Sequence, residues 1–124
     1  MKKLLTFAAV SEAATGVALV IVPSLVGRLL LGAELTGVSI PVARVAGIAL
    51  IALGLACWPG SEAYRALRAM LCYGLLVTLY LAYLGICGEW VGSLLWPAVA
   101  AHAVLTILLG RVCFNGRKTP EAKT

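Results

Sequence analysis

Hydrophobic residues form four long runs along the chain, and short stretches containing proline, glycine or charge separate them. The runs cover residues 4–22, 42–58, 69–86 and 94–110. Each run holds about 16–19 residues, near the shortest length that crosses a bilayer as an α-helix. The pattern predicts an all-α fold, an integral membrane four-helix bundle forming one transmembrane domain over residues 1–124.

Residues that tolerate helix ends and membrane surfaces stand at the boundaries of these runs. A proline loses little at a helix end, where its missing N–H has no partner to lose. The prolines placed this way are Pro23, Pro41, Pro59 and Pro97. Tryptophan favours the interface between lipid and water, and the three tryptophans, Trp58, Trp90 and Trp96, also lie near the run ends. Both patterns support the predicted spans.

The segment after the first run has a different character. Residues 24–35 read SLVGRLLLGAEL, which is apolar but contains Arg28 and is too short to span a bilayer. We expect a short interfacial helix here, with Arg28 turned toward the lipid headgroups. At the other end of the chain, residues 115–124 form a polar tail that is too short to fold alone.

Composition excludes several classes of protein. With 62% hydrophobic and 12% charged residues, a water-soluble domain would expose far too much apolar surface, whereas lipid can solvate it. The net charge of +5 comes from basic residues that flank the runs, so it indicates topology, and we predict no nucleic-acid partner. The four cysteines form no C-x-x-C pair, which argues against a dithiol redox centre.

The distribution of lysine and arginine predicts the orientation. With the N-terminus inside, the inner segments hold eight basic residues: Lys2, Lys3, Arg65, Arg68, Arg111, Arg117, Lys118 and Lys123. The outer segments hold two, Arg28 and Arg44. This bias follows the positive-inside rule. We therefore expect a multi-pass protein of the bacterial inner (cytoplasmic) membrane, with its N-terminus and C-terminus both cytoplasmic.

Two ionisable residues at mid-depth are the first candidates for a ligand or proton site. Glu12 lies on a face of the first helix with small neighbours, and His102, the only histidine, lies mid-span in the fourth. At about 1.5 Å per residue, Glu12 is roughly 12 Å and His102 roughly 14 Å from the cytoplasmic edge. The first and last helices of a four-helix bundle are often neighbours. We predict that the two side chains interact, as a lock between helices or as a functional pair.

Arg44, Tyr80 and Tyr83 are further candidates nearer the outer face. Tyr80 and Tyr83 belong to a stripe on one face of the third helix, which also includes Tyr73, Leu76 and Cys87. Arg44 and Tyr83 both lie roughly 21 Å from the cytoplasmic edge by the helical rise. We predict that they face one outer crevice. The alternatives are an arginine that extends to the headgroups and tyrosines that only pack between helices.

No catalytic motif accompanies these residues. We find no nucleophile elbow, zinc-protease motif, phosphate-binding glycine loop or dinucleotide fingerprint. One histidine without cysteine or aspartate at ligand spacing does not make a zinc site. The sequence therefore predicts no metal and no cofactor, and it favours a protein that is not an enzyme.

Short motifs resemble those of the small four-helix bacterial membrane proteins of the DoxX-like type. They are the first helix closed by Pro23, the run Leu30-Leu31-Gly32, and Arg44-Val45-Ala46-Gly47 opening a glycine-rich second helix. The resemblance covers most of the chain and implies a four-helix membrane fold with a loose link to membrane redox systems. Glu12 in a first helix is also similar to small multidrug-resistance exporters. Those proteins have a shorter first loop and lack a segment like residues 24–35.

Three functions remain open at this stage. The first is a non-catalytic accessory, scaffold or self-associating subunit, embedded in the lipid bilayer as a homo-oligomer or as part of a larger membrane complex. Frequent Ala and Gly at helical spacing favour it. The second is a small proton-coupled transporter centred on Glu12. The third is a redox-associated subunit that binds quinone or haem near His102 and the tyrosines.

The orientation gives a first testable prediction. An impermeant thiol reagent applied outside sealed, right-side-out cells should modify Cys87 and leave Cys113 unmodified, because only Cys87 lies near the predicted outer face. Labelling of each site can be followed by mass spectrometry. Modification of Cys113 from outside would overturn the predicted orientation.

Overall fold

A computed structural model describes residues 2–118, and the side chains through residue 116. Within this part the chain forms five helices: α1 (Lys2–Ile21), α2 (Pro23–Leu31), α3 (Ser39–Ala56), α4 (Ala63–Cys87) and α5 (Leu95–Lys118). Four of them, α1, α3, α4 and α5, are long and apolar enough to cross a membrane. The all-α bundle of four spans is confirmed, with a short helix after the first span, and the chain is a multi-pass membrane protein.

The helices run further than the apolar runs that predict them. The helix α4 begins at Ala63, before the predicted run at residue 69, and includes Arg65 and Arg68 in its first turns. The helix α5 continues past residue 110 to Lys118, so the start of the predicted tail is helical, and residues 119–124 lie outside the described part. A helix can continue beyond its apolar run into the region of the lipid headgroups, which attract basic residues. Hydropathy identifies only the part of the helix that lies in the hydrocarbon core.

The four long helices are arranged as two pairs. The helix α1 packs mainly against α3, and α4 packs mainly against α5. Contacts between the pairs are fewer and run from α1 to α4 and α5, while α3 makes at most marginal contact with α4 or α5. The two pairs therefore meet chiefly along one side of α1.

Small residues bring α1 and α3 into backbone contact. The backbones of Gly16 and Gly47 touch where the helices cross, and a Cβ added to Gly47 would lie 2.5 Å from the Gly16 carbonyl oxygen. Further along, a Cβ on Gly54 would lie 2.6 Å from the carbonyl oxygen of Ala9. Close approach through glycine and alanine is a common way to gain dispersion contact between helices in lipid. This crossing makes α1 and α3 one rigid unit.

An apolar core closes one end of the bundle. It lies where α1 and α4 begin and where α3 and α5 end, and its fully buried side chains include Leu5, Cys57, Leu67, Leu109 and Cys113. By the predicted orientation this is the cytoplasmic half. The outer half has fewer buried residues, which leaves room for a cavity there.

The short helix α2 is fastened to the loop between α4 and α5. Its C-terminal carbonyls, at Leu29 and Leu30, accept hydrogen bonds from the backbone N–H groups of Leu94 (2.8 Å) and Gly92 (3.0 Å). Gly32 ends the helix in the left-handed conformation at φ 76°, a position that favours glycine. These bonds place α2 across the outer end of the bundle, while its location at the interface remains a prediction.

Cysteine burial sharpens the orientation test. Cys57 and Cys113 are buried, whereas Cys72 and Cys87 are exposed. Burial alone would protect Cys113, so a cysteine at the exposed Gly116 position is a better marker of the C-terminal side. In the Gly116→Cys variant, the new cysteine at position 116 should be modified by the impermeant reagent only after the cells are permeabilised, whereas Cys87 should be modified in intact cells.

The glycine crossing gives a second prediction. Gly47→Ala should lower the free energy of unfolding by about 1–3 kcal/mol, because the added methyl group forces two backbones apart. Gly116→Ala is the matched control, since its Cβ would meet nothing within 4 Å and both variants share the higher helix propensity of alanine. Unfolding in mixed micelles followed by circular dichroism measures both. Equal stability of the two variants would contradict the close crossing.

Candidate functional site

Three polar side chains from three helices meet inside the bundle. Glu12 on α1 accepts a hydrogen bond at Oε2 from the Tyr73 hydroxyl of α4, with an O–O distance of 3.0 Å. Glu12 Oε1 lies 3.8 Å from Nδ1 of His102 on α5. The Tyr73 and His102 rings pack edge to face, with centroids 6.3 Å apart and planes at 89°. We call these three residues the Glu12 cluster.

The cluster joins the two helix pairs, which make few other contacts with each other. Glu12 belongs to the α1–α3 pair, and both of its partners belong to the α4–α5 pair. Ala8, one turn before Glu12, is a buried small residue that lies beside Met70 and Gly74 of α4 and His102 of α5. The predicted interaction of Glu12 with His102 is therefore present in the structure, and Tyr73 is added to it.

Glu12 is the buried charged residue of the part that the structure describes, with 4% of its surface exposed. A carboxyl group in an apolar medium needs partners, because leaving it unpaired costs several kcal/mol. Tyr73 satisfies Oε2. The separation of 3.8 Å between Oε1 and His102 exceeds a normal hydrogen bond, so Oε1 retains capacity to accept another donor.

A cavity of about 340 Å³ begins at the Glu12 cluster and is partly open to the surface of the bundle. The cluster forms its polar end, and nearly all the rest of its wall is apolar. All five helices and the loop before α5 contribute; the other lining residues are Thr15, Leu19, Val26, Leu29, Leu30, Leu50, Val77, Leu81, Leu94 and Ala98. The size and the ratio of apolar to polar lining are typical of a small-molecule site.

The cavity lies at the gap between the two helix pairs. Leu50 of α3 and Val77 of α4 both line it, although these two helices hardly touch. The helix α2 covers the outer end through Val26, Leu29 and Leu30. The cavity therefore lies in the space that α3 and α4 leave between them.

A smaller void continues from the cluster toward the closed end. It measures about 10 Å³ and is lined by Glu12, Gly74, His102 and Thr106, with apolar neighbours. The Thr106 hydroxyl oxygen is buried there without a hydrogen-bond partner among the described residues. The void is therefore close to the smallest volume that holds one water molecule, roughly 10–15 Å³. The polar region thus extends about one helical turn below Glu12.

Arg44 has a structural role at the end of the first span. Its Nε donates a hydrogen bond to the Val20 carbonyl oxygen at 3.2 Å, in the last turn of α1. A guanidinium at this position caps an otherwise unpaired carbonyl and interacts favourably with the helix dipole. It lines an outer groove with Ile21, Pro23 and Ile40, which contains no tyrosine.

Tyr80 and Tyr83 line neither the cavity of Glu12 nor the groove of Arg44. Their rings stack with centroids 6.4 Å apart, and both side chains are exposed. Tyr80 lines a separate outer groove that includes Glu34 and Trp90. The predicted crevice shared by Arg44 and Tyr83 is therefore wrong. The count of helical rise put Arg44 and Tyr83 at the same depth. However, α3 and α4 belong to different helix pairs, and the Arg44 side chain turns toward α1.

Tyr73 is the site residue that sequence reasoning missed as a candidate. Tyr73 belongs to the tyrosine stripe, but it lies nearer the start of α4 than Tyr80 and Tyr83 do. Tyr73 lies ten residues from the start of α4, and Glu12 lies ten residues from the start of α1, which puts both about 15 Å along their helices. The predicted runs begin at residues 4 and 69, which would put Glu12 roughly 12 Å and Tyr73 roughly 6 Å deep. The two depths agree only once the structure shows that α4 begins at Ala63.

Comparison with known proteins adds no relative. A scan against family models, a search of curated proteins and a search of solved structures each gave no match. The resemblance to DoxX-like proteins therefore stays a prediction, and the function has to be argued from the site.

The hydrogen bond from Tyr73 gives a third prediction. Tyr73→Phe should lower the free energy of unfolding by about 1 kcal/mol, the usual size for a hydrogen bond between membrane helices. Tyr83→Phe, at an exposed position on the same helix, should leave stability unchanged. Reversible unfolding of both variants in bicelles is the measurement. A larger loss of stability in Tyr83→Phe than in Tyr73→Phe would contradict the stabilising hydrogen bond between Tyr73 and Glu12.

A fourth prediction concerns coupling between Glu12 and His102. The single variants Glu12→Gln and His102→Ala and the double variant should give a coupling energy of about 0.5–2 kcal/mol, because each residue's contribution depends on the other. The measurement is a double-mutant cycle, in which the free energies of unfolding of the wild type, the two single variants and the double variant are compared in the same lipid. Strictly additive effects would show that the two side chains do not interact.

Proposed function

We propose that this protein is a non-catalytic membrane module that binds a small, mostly apolar molecule from the bilayer. One observation carries the proposal: an open, largely apolar cavity ends at the buried Glu12 cluster. Apolar walls with a few convergent polar groups are the usual make-up of a ligand site. Glu12 gives the site a fixed polar end, since Tyr73 holds one of its carboxyl oxygens.

The proposal extends the sequence-based expectation of an accessory or scaffold subunit. Under the predicted orientation, the cavity lies in the outer half of the inner membrane and the apolar core lies on the cytoplasmic side. A ligand entering between α3 and α4 would contact both helix pairs at once. It would stabilise their arrangement and could report its presence to a partner subunit or a second copy of the chain.

A proton-coupled carrier centred on Glu12 is the second candidate. The contact between a carboxyl group and an imidazole at the end of an open cavity favours it, because such pairs exchange protons in many transporters. A carrier must also release its cargo on the other side. The fully buried Leu5, Leu67 and Leu109 stand in that path, so binding requires less rearrangement than transport.

Co-purification tests the binding function, as a fifth prediction. Native mass spectrometry of protein extracted in nanodiscs should show a small-molecule adduct that denaturation releases. Ala98→Phe should abolish the adduct, because Ala98 lines the cavity and the larger side chain fills it.

Ala101→Phe is the matched control. It makes the same change on the same helix, at an exposed residue that lines a different, outward-facing groove. This variant should keep the adduct. Loss of adduct in both variants, or in neither, would contradict binding in the cavity. Uptake that depends on a proton gradient in liposomes, abolished by Glu12→Gln, would favour the carrier instead.

A further inference from the structure

We infer that the ligand of this cavity is an uncharged apolar molecule whose polar group is a hydroxyl, seated against Glu12 Oε1 and the His102 ring. The inference rests on the proposed function and specifies its ligand. It follows from the size of the cavity and from the hydrogen-bonding capacity at its polar end.

The cavity limits the size of the ligand. An apolar cavity of about 150 Å³ in another protein holds one benzene molecule. The volume here is about 340 Å³, enough for a ring and a short aliphatic chain. Leu19, Leu50 and Leu81 line the wall along which such a chain would lie. Longer molecules would extend through the gap between α3 and α4 into lipid.

The polar end limits the head group. Tyr73 already donates to Glu12 Oε2, so the remaining acceptor is Oε1, and His102 Nδ1 stands 3.8 Å from it. A ligand group placed beside both atoms can reach each with a hydrogen bond of normal length. A hydroxyl both donates and accepts. It can therefore donate to Oε1 and accept from the imidazole, and it can reverse these roles if the proton moves between them.

Other head groups fit less well. A carboxylate would place a second negative charge beside Glu12, and like charges repel strongly where the dielectric is low. A ketone or ether can only accept, so it leaves either Glu12 Oε1 or His102 Nδ1 unpaired, depending on which of the two holds the proton. A hydrocarbon would cover Oε1 and pair with nothing, at the full cost of desolvation. An ammonium could pair with Glu12 but would bring its own charge into an apolar wall.

The single histidine provides a direct probe. Because His102 is the only histidine of the chain, ¹⁵N-histidine labelling gives ring-nitrogen signals from this site alone. Protein in nanodiscs would be titrated with four ligands of similar shape: para-pentylphenol, pentylbenzene, para-pentylbenzoate and para-pentylbenzylamine. Affinities are compared at equal concentration in the lipid phase. We expect para-pentylphenol to shift the His102 signals and to bind about tenfold more tightly than pentylbenzene, which is the net effect expected of one to two hydrogen bonds.

Variants locate the effect. The preference for the phenol should persist in Tyr83→Phe and disappear in Glu12→Leu, where both ligands should bind alike. If Glu12→Leu does not fold, Ala98→Phe should abolish binding of all four ligands, and the wild-type ligand series still decides the head group.

Each remaining outcome is informative. Equal binding of para-pentylphenol and pentylbenzene would overturn the hydroxyl while leaving the proposed binding function intact. Tighter binding of the amine or of the benzoate would overturn the uncharged head group. No response to any of the four ligands would overturn this inference, and together with loss of the co-purified adduct it would overturn the proposed function.

Discussion

A carboxyl group held in the middle of a membrane sets the constraint on which this structure depends. Glu12 is almost completely buried, and the surrounding lipid and apolar side chains cannot solvate it. Its partners have to come from other helices, and they come from Tyr73 on α4 and His102 on α5. The two contacts that Glu12 makes, with Tyr73 and with His102, therefore also connect the two helix pairs.

The rest of the bundle is closely packed in some places and leaves a cavity in another. Glycine and alanine join α1 to α3 at backbone distance, and the apolar core around Leu67 seals one end. The core does not reach the other end of the bundle, and neither feature joins α3 to α4, which make little contact. The cavity lies in the space between them, and α2, hydrogen-bonded to the loop at Gly92 and Leu94, covers its outer end. The Glu12 cluster is thus both a joint between helices and the polar end of a ligand site.

The sequence predicts the spans and the levels of Glu12 and His102 well, because both follow from local properties. Hydropathy shows which residues lie in lipid, and a fixed rise per residue gives depth. Counting depth was sufficient to predict that Glu12 and His102 meet. The same counting failed for Arg44 and Tyr83, because depth says nothing about which helices are neighbours or how each is rotated. Arg44 instead bonds to the Val20 carbonyl oxygen of α1, a choice set by the pairing of α1 with α3. The cavity depends on that pairing as well, so no pattern in the chain predicts it.

The contact between Glu12 and His102 is the most direct test of this account. Dipolar recoupling by solid-state NMR, with ¹³C in the glutamate carboxyl groups and ¹⁵N in histidine, measures it in lipid bilayers. The single histidine removes ambiguity on the nitrogen side, and Glu12→Gln identifies the carbon. The Oε1–Nδ1 separation of 3.8 Å predicts clear dephasing of one carboxyl signal, lost in the variant. Absence of dephasing in the wild-type protein would show that Glu12 and His102 are not in contact and would contradict the Glu12 cluster.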